Sequence, residues 1–326
     1  MKAMILCAGY GERFRPVTEK FPKPMLPVMG KPLLHYSLNR VRAAGVGGVV
    51  LNLHHLPDAI RSFAGDAYGG MPVRYSEERE ILGPVGGIKK AEGFFGGETF
   101  IVVNGDIWFE QDLCEMAAFH REKGAGLTMM VVDGGDPALR AIGYDGDGRV
   151  RQVWGKPAVR AELKTAVNTG IYVYEPYVLE RYVEPDVFFD LSGDLLPRLF
   201  TDDVPVFAFS ASGYWADTGT PERYLELHRD LMAGRASLPP EDACRSVGGV
   251  FRRGDSRIAG GARIHPPCFF DEGCEVGSGA EIGPYAVLGL GCRVGSGTSV
   301  ENSVVFSGVV LREGGAHVNE VLFESE

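Results

Sequence analysis

Leu6-Cys7-Ala8-Gly9-Tyr10-Gly11-Glu12-Arg13-Phe14-Arg15-Pro16 continues a short apolar run, Lys2–Cys7, and its reading decides which kind of α/β sheet this chain builds. A strand that runs into Gly-x-Gly suggests a dinucleotide-binding turn. Such a turn opens a helix onto a pyrophosphate and needs a third glycine to pack that helix on the strand. Phe14 stands where that glycine belongs, and Pro16, Pro22, Pro24 and Pro27 forbid a prompt helix start. The glycines open instead a long irregular stretch, residues 8–30, carrying Arg13, Arg15, Lys20 and Lys23. The order G-x-G-x-R followed by P-K-P suits a triphosphate. Glycine lets backbone N–H groups come close, and Arg and Lys meet the phosphate oxygens.

Outward from this loop the chain alternates. Pro32–Ala44 has helical spacing, Val46–Leu53 is a continuous β-branched run, and Leu56–Ala64 again has helical character. Val73–Ser76, Phe100–Val103, Leu127–Val132, Val150–Trp154, Ala166–Tyr174 and Val204–Phe209 read as strands, with helices over Gly86–Gly93 and Gln111–Lys123. The alternation predicts an α/β fold, a doubly wound and mostly parallel sheet with helices on both faces. Ligands of such sheets sit beyond the carboxyl ends of the strands, where Gly9, Gly11 and Asp106 fall. Thr220-Pro221-Glu222 is a helix start, with a hydroxyl N-cap, proline at the first position and an acid near the positive end of the dipole. This helix runs to Met232, and Gly234 stops it.

From Ile258 the pattern changes. An apolar residue recurs every six positions: Ile258, Ile264, Phe270, Val276, Ile282, Leu288, Val294, Val300, Phe306 and, past Arg312 as an exception, Val318. Four positions after each leader stands a mostly small residue, among them Cys268, Cys274, Ala280, Ala286 and Cys292. This is the signature of a hexapeptide-repeat parallel β-helix, in which each hexad forms one flat side of a triangular coil. It makes Cys268, Cys274 and Cys292 interior packing residues, and Cys7 reads as core as well. The expected division is a domain over residues 1–235, a linker over 236–256 containing Pro239-Pro240, and the β-helix over 257–326.

The composition excludes several classes. With 33 basic against 43 acidic residues in 326, the net charge of -10 argues against nucleic acid or an anionic membrane as partner. The first apolar run is too short for a signal peptide, and no stretch approaches the ~18 apolar residues of a membrane span. Six cysteines without a C-x-x-C pair read as reduced thiols, which gives a cytoplasmic expectation. His54-His55 have no metal spacing and read as structural or solvent-facing. Glu77-Glu78-Arg79-Glu80 reads as a solvated charge run.

Leu6 to Thr18, with Pro22-Lys23-Pro24-Met25-Leu26-Pro27-Val28, resembles the signature of the sugar-1-phosphate nucleotidylyltransferases, the NDP-sugar pyrophosphorylases. Further landmarks follow in order. Leu82-Gly83-Pro84-Val85-Gly86-Gly87 resembles the family's Leu-Gly-Thr-Ala-Gly stretch against the base, with Pro84 and Val85 departing from it. Asn104-Gly105-Asp106 resembles the Gly-Asp whose carboxylate holds Mg²⁺, and Trp215-Ala216-Asp217-Thr218-Gly219-Thr220 resembles the second acidic landmark. Trp154-Gly155-Lys156-Pro157 resembles the Glu-Lys-Pro element, with Gly155 at the Glu position. Asn168-Thr169-Gly170-Ile171-Tyr172 resembles the sugar-facing strand, and Ala141-Ile142-Gly143-Tyr144 a backbone contact through Gly143.

The resemblance implies a nucleotide-diphospho-sugar transferase-like sheet followed by a short left-handed β-helix through which copies assemble as a homo-oligomer. It implies nucleotide binding by Ala8, Gly9, Gly11, Arg13, Lys23 and Gly86. Sugar-phosphate binding falls to Gly143, Lys156 and Asn168, and Mg²⁺ to Asp106 and Asp217. Arg13, Lys23, Asp106 and Asp217 are the catalytic set. The implied reaction moves a nucleoside monophosphate from an NTP to a sugar 1-phosphate and releases pyrophosphate, with GTP and mannose 1-phosphate as the pair. UTP or dTTP with glucose 1-phosphate or an N-acetylated sugar 1-phosphate is the alternative, since Asn104–Trp108 also resembles an N-acetylmuramate 1-phosphate uridylyltransferase. Two other classes stay open: a non-catalytic nucleotide-sugar-sensing subunit, and a bifunctional enzyme whose β-helix is an acyltransferase using His265 or His317.

Overall fold

The computed structural model describes residues 1–133, 141–159 and 162–326. They form two compact units. The first comprises Met1–Tyr10, Pro22–Pro24 and Leu34–Trp215; the second comprises Gly11–Phe21, Met25–Leu33 and Ala216–Glu326. Among the described residues no helix is long and apolar enough to cross a membrane.

The first unit is a large sheet with helices. Its centre is four parallel strands in the spatial order Phe100–Asn104, Lys2–Leu6, Val49–Leu53 and Met71–Glu77. Val49–Leu53 is buried at every position, as a strand covered on both faces must be. Beyond Phe100–Asn104 the direction reverses. Lys164–Tyr174 pairs antiparallel with it and with Leu127–Asp133, which in turn pairs parallel with Val206–Ser210. Ile142–Tyr144 and Val150–Val153 extend the sheet as an antiparallel hairpin. The sheet is thus mixed, with a parallel centre and antiparallel strands beyond Phe100–Asn104.

The helices follow their start and stop signals. Leu33–Ala43 buries Leu34, Leu38 and Val41. Leu113–Lys123 is capped by the Asp112 carboxylate, which accepts from Cys114 N–H at 2.7 Å, and ends at Gly124 in the left-handed region. The helix read over Gly86–Gly93 starts earlier, at Gly83, with Pro84 in its first turn. Two helical segments had no clear sequence signal: Pro176–Tyr182, and Leu191–Thr201 in two pieces. In the core, Phe100 is stacked between Phe95, with ring centroids 3.8 Å apart, and Tyr174, at 5.4 Å.

The second unit contains the β-helix. Three parallel ladders form its sides, and Cys268, Cys274, Ala280, Ala286 and Cys292 are fully buried. Two expectations need correction. The 236–256 stretch is not bare linker: Val250–Arg252 pairs in parallel with Cys268–Phe270 and heads one ladder. Arg252 occupies a leading position there, which hides the repeat. The hexad register also slips. Cys268 pairs with Ala286, but Leu288 pairs with Val305, Val294 with Leu311, and Val300 with His317. The corners at Asn302 and Asn319, both with positive φ, are a residue tighter. Val305, Leu311 and His317 therefore fill the last coil, Arg312 ceases to be an exception, and Val318 is 49% exposed.

The same unit holds the helix Pro221–Met232, whose N-cap Thr220 accepts from Arg223 N–H at 3.4 Å. Its buried face carries Tyr224 and His228. Tyr224 Oη donates to the Pro27 carbonyl, and Phe14 packs edge-on against the Tyr224 ring with centroids 5.5 Å apart. His228 Nδ1 donates to Tyr224 O at 3.0 Å, and its Nε2 accepts from Met29 N–H at 3.4 Å. Burial holds the His228 imidazole down to about 4.

Candidate active site

In the first unit a 250 Å³ pocket opens at the carboxyl ends of three central strands. Ala8, Gly9, Lys23 and Asp106 line it together, with Asn52, Glu78, Gly83, Pro84 and Asn104. Gly105 explains how Asp106 reaches this place. Its N–H donates to Leu6 O at 2.9 Å, and a side chain there would stand 2.6 Å from that same carbonyl. The turn can hug the first strand only as glycine. Lys23, only 9% exposed, then places its Nζ 3.1 Å from Asp106 Oδ2. The pocket thus holds one buried cation beside one partly exposed carboxylate. Burial, and secondarily the Asp106 charge, push the Cys7 thiol well above its ordinary value, so it packs and does not react.

The charge-run reading of Glu77–Glu80 fails at Glu78, which is 4% exposed. Asn52 Nδ2 donates to Glu78 Oε1 at 2.7 Å, and Leu82 N–H donates to Oε2 at 2.9 Å. Asn52 Oδ1 accepts from Cys7 N–H at 2.7 Å, so one chain of hydrogen bonds ties the first strand's end to the Leu82–Pro84 loop. His54 belongs to the same network, 2.8 Å from Glu78 O through Nδ1 and 2.7 Å from Tyr10 Oη through Nε2. Glu78 follows the strand Met71–Glu77, whose buried positions Met71 and Val73 give no alternation that points it inward.

Gly86 lies elsewhere than expected. It does not line the pocket. Its N–H donates to Phe189 O at 3.3 Å, and a Cβ would stand 2.5 Å from Val187 O. Close backbone packing accounts for this glycine, and Gly83 and Pro84 face the pocket in its place.

The sugar-side residues are dispersed. Asn168 sits at a register shift in Lys164–Tyr174, where it donates to Tyr172 Oη at 2.8 Å and accepts from Gly170 N–H at 3.2 Å. Gly170 lies against Asn104, so this irregular segment abuts the pocket. Gly143 is an interior strand residue between Gln152 and Thr165. Lys156 is exposed on the tight turn Val153–Lys156 and lines a separate cleft with Trp154, Ser192, Gly193 and Phe200.

In the second unit Gly11 adopts the left-handed conformation at φ 68°, and Thr18 Oγ1 donates to its carbonyl at 2.9 Å. Arg13, on the short turn Glu12–Phe14, stands 3.9 Å from Asp217 Oδ2. Asp217 also accepts from Arg223 at 2.5 Å and from Gly219 N–H at 2.7 Å. Arg223 escaped the sequence reading because it looks like an ordinary first-turn helix residue. Among the described residues no group of three or more His, Cys, Asp or Glu is placed to hold a metal ion by itself. Mg²⁺ is commonly bound by one or two carboxylates with substrate phosphates supplying the rest, and a single Asp106 at a pocket wall fits that donor set.

The fold and this pocket define a class. Over residues 2–234 the chain matches the family described as nucleotidyl transferase, and it belongs to that family of enzymes. The UTP–glucose-1-phosphate uridylyltransferase of Synechocystis sp. is 32% identical, over 99% of this chain and 87% of its own. The mannose-1-phosphate guanylyltransferase of Mycobacterium tuberculosis is 33% identical, over 96% and 81%. Among solved structures, HddC from Yersinia pseudotuberculosis in complex with GMP-PN superposes with a TM-score of 0.58 at 28% identity, over 69% of this chain and 97% of its own.

Proposed function

We infer that this nucleotidyltransferase joins a nucleoside monophosphate to a sugar 1-phosphate, and that GTP and mannose 1-phosphate are its pair. The observation that carries the reaction is the convergence of Lys23, Asp106 and the open Ala8–Gly9 turn on one pocket. An oxygen of the sugar-phosphate dianion attacks the α-phosphorus, the bond to the β-phosphate oxygen breaks, and pyrophosphate leaves with that electron pair. The attacking dianion needs no general base. The barrier is charge repulsion and alignment, which fixed cations reduce. Lys23 meets phosphate oxygens in the pocket, and the family resemblance gives Arg13 the same part and Lys156 the sugar phosphate. Asp106 supplies the carboxylate for a divalent cation, Mg²⁺, which when bound screens the phosphates as a Lewis acid. The expectation that Asp106 and Asp217 serve one ion remains a proposal, which a metal titration of each Asp→Asn variant tests.

Guanine is favoured by Glu78. A carboxylate can only accept hydrogen bonds. Guanine offers two adjacent donors on its pairing edge, whereas the single N–H of uracil lies between two carbonyls. Relatives named for GTP and for UTP stand at similar identity, so the residues of the pocket have to decide. The deciding experiment is pyrophosphate release from each of GTP, UTP, dTTP, ATP and CTP with mannose and glucose 1-phosphates. The reading requires GTP with mannose 1-phosphate to give the highest kcat/KM. A UTP preference would reverse the base assignment, and no turnover with any pair would leave a binding subunit. The acyltransferase reading loses support from geometry. His317 is 6% exposed, inside the last coil, and 3.0 Å from Glu320, while exposed His265 is 3.7 Å from Glu281. Assembly of copies through the β-helix is part of the proposal, and light scattering tests it.

A further inference from the structure

The β-helix does more in this chain than extend it. Phe306 and the last residues of the chain meet the cationic loop Gly11–Phe21 within the second unit. Phe21 packs edge-on against Phe306 with ring centroids 5.2 Å apart. Lys20 pairs with Glu324. The tail holding Glu324 is itself anchored. Glu326 N–H donates to Val310 O at 3.1 Å, and Ser325 Oγ accepts from Val310 N–H at 2.9 Å. Arg229, on the helix whose Tyr224 packs against Phe14, donates to Asn302 Oδ1 at 3.3 Å. The loop is therefore held on one side by a β-helix aromatic and the tail, and on the other by a helix tied to a β-helix corner.

The shortened coils explain why Phe306 is available. Val305 pairs with Leu288 and fills the interior, so the next residue is released outward, yet Phe306 is only 3% exposed. An outward aromatic that buried on a β-helix side has a dedicated cover. Around it, the loop's own support is thin: two single-turn segments, with Phe14 N–H bonded to Gly11 O and Phe21 N–H to Val17 O. Such short turns do not hold one geometry unaided.

We propose that Phe306 and the Glu324 tail are positioning elements that hold the Gly11–Phe21 loop, and with it Arg13, in the conformation that receives the NTP phosphates. This rests on the reading of that loop as the phosphate loop, and the test separates the two. Hydrogen exchange and steady-state kinetics are measured on the full chain as wild type, Phe306→Ala, Phe306→Leu and Glu324→Gln. The expected result for Phe306→Ala is about tenfold faster exchange at the amides of 14–21, with exchange in the first unit's strands unchanged. KM for the NTP rises about tenfold and kcat falls with the loosened Arg13, while KM for the sugar phosphate stays within about twofold. Phe306→Leu falls between, and it keeps the test open should the alanine variant not fold. Unchanged exchange at 14–21 in a folded Phe306→Ala or Phe306→Leu protein overturns the proposal. Faster exchange with an unchanged KM for the NTP upholds the brace and refutes the phosphate-loop reading.

Discussion

Replacing Asp106 by Asn removes one charge and almost no volume, so it separates chemistry from folding at this pocket. Asp106 lies 3.1 Å from Lys23 Nζ, with side-chain exposures of 30% for the acid and 11% for the lysine. Asn still offers Lys23 an acceptor. The lost charge pairing is partly solvent-screened, so the folding cost is about 1 kcal/mol. The catalytic cost is larger, because a fixed charge that acts on developing phosphate charge contributes roughly 2.7–4 kcal/mol to the transition state, or about 10²–10³ in kcat. Lys23→Met produces a similar loss. Because both groups act on one set of phosphate oxygens, the double variant loses much less than the product of the single losses. Pyrophosphate release is followed at saturating NTP, sugar phosphate and metal, beside a thermal melt. An Asp106→Asn enzyme within about threefold of wild-type kcat, with an unaltered metal requirement, would refute the assignment.

Three further outcomes follow from the same geometry. Arg13→Ala lowers kcat about 100-fold in the same assay while Asp217 keeps Arg223 as its partner. His228 makes stability fall with acidity. Its folded value of about 4 lies below the ordinary 6.5, so between those values only the unfolded chain takes up the proton. About 3 kcal/mol is lost as pH drops through that window, and urea unfolding of His228→Asn shows a correspondingly flatter slope. Phe100→Ala, at a fully buried ring between two aromatic partners, costs about 3–5 kcal/mol in denaturant unfolding and leaves kcat of the folded enzyme unchanged.

Much of the architecture could be read from side-chain periodicity, and the misreadings have physical causes. Val49–Leu53 and Phe100–Asn104 announce themselves because strands covered on both faces are apolar throughout. The Ile171–Tyr174 end of Lys164–Tyr174 is equally apolar, but composition carries no strand direction, so its antiparallel pairing was invisible. The hexads located the β-helix from its interior. Once the corner at Asn302 tightens, counting by six assigns Phe306 and Val318 to the inside, whereas Val305 and His317 pair there. In the site, Lys23 and Asp106 were legible because loop prolines and a turn glycine fix them beside the first strand. Glu78 was not, because its burial depends on Asn52 and Leu82, which arrive from other segments. The packing of Gly86 outside the pocket was hidden for the converse reason. Its need for space comes from the 187–189 backbone, which is distant in sequence.

The central claim is that the pocket delivers the α-phosphoryl group of an NTP to a sugar phosphate. It is tested most directly by turnover with NTP labelled in the α-phosphate, in the presence of mannose 1-phosphate and Mg²⁺. The expected result is label in the nucleotide-sugar, unlabelled released pyrophosphate, and suppression of both by Asp106→Asn. Label recovered as free nucleoside monophosphate, or a labelled sugar product formed at wild-type rate without Asp106, would contradict it.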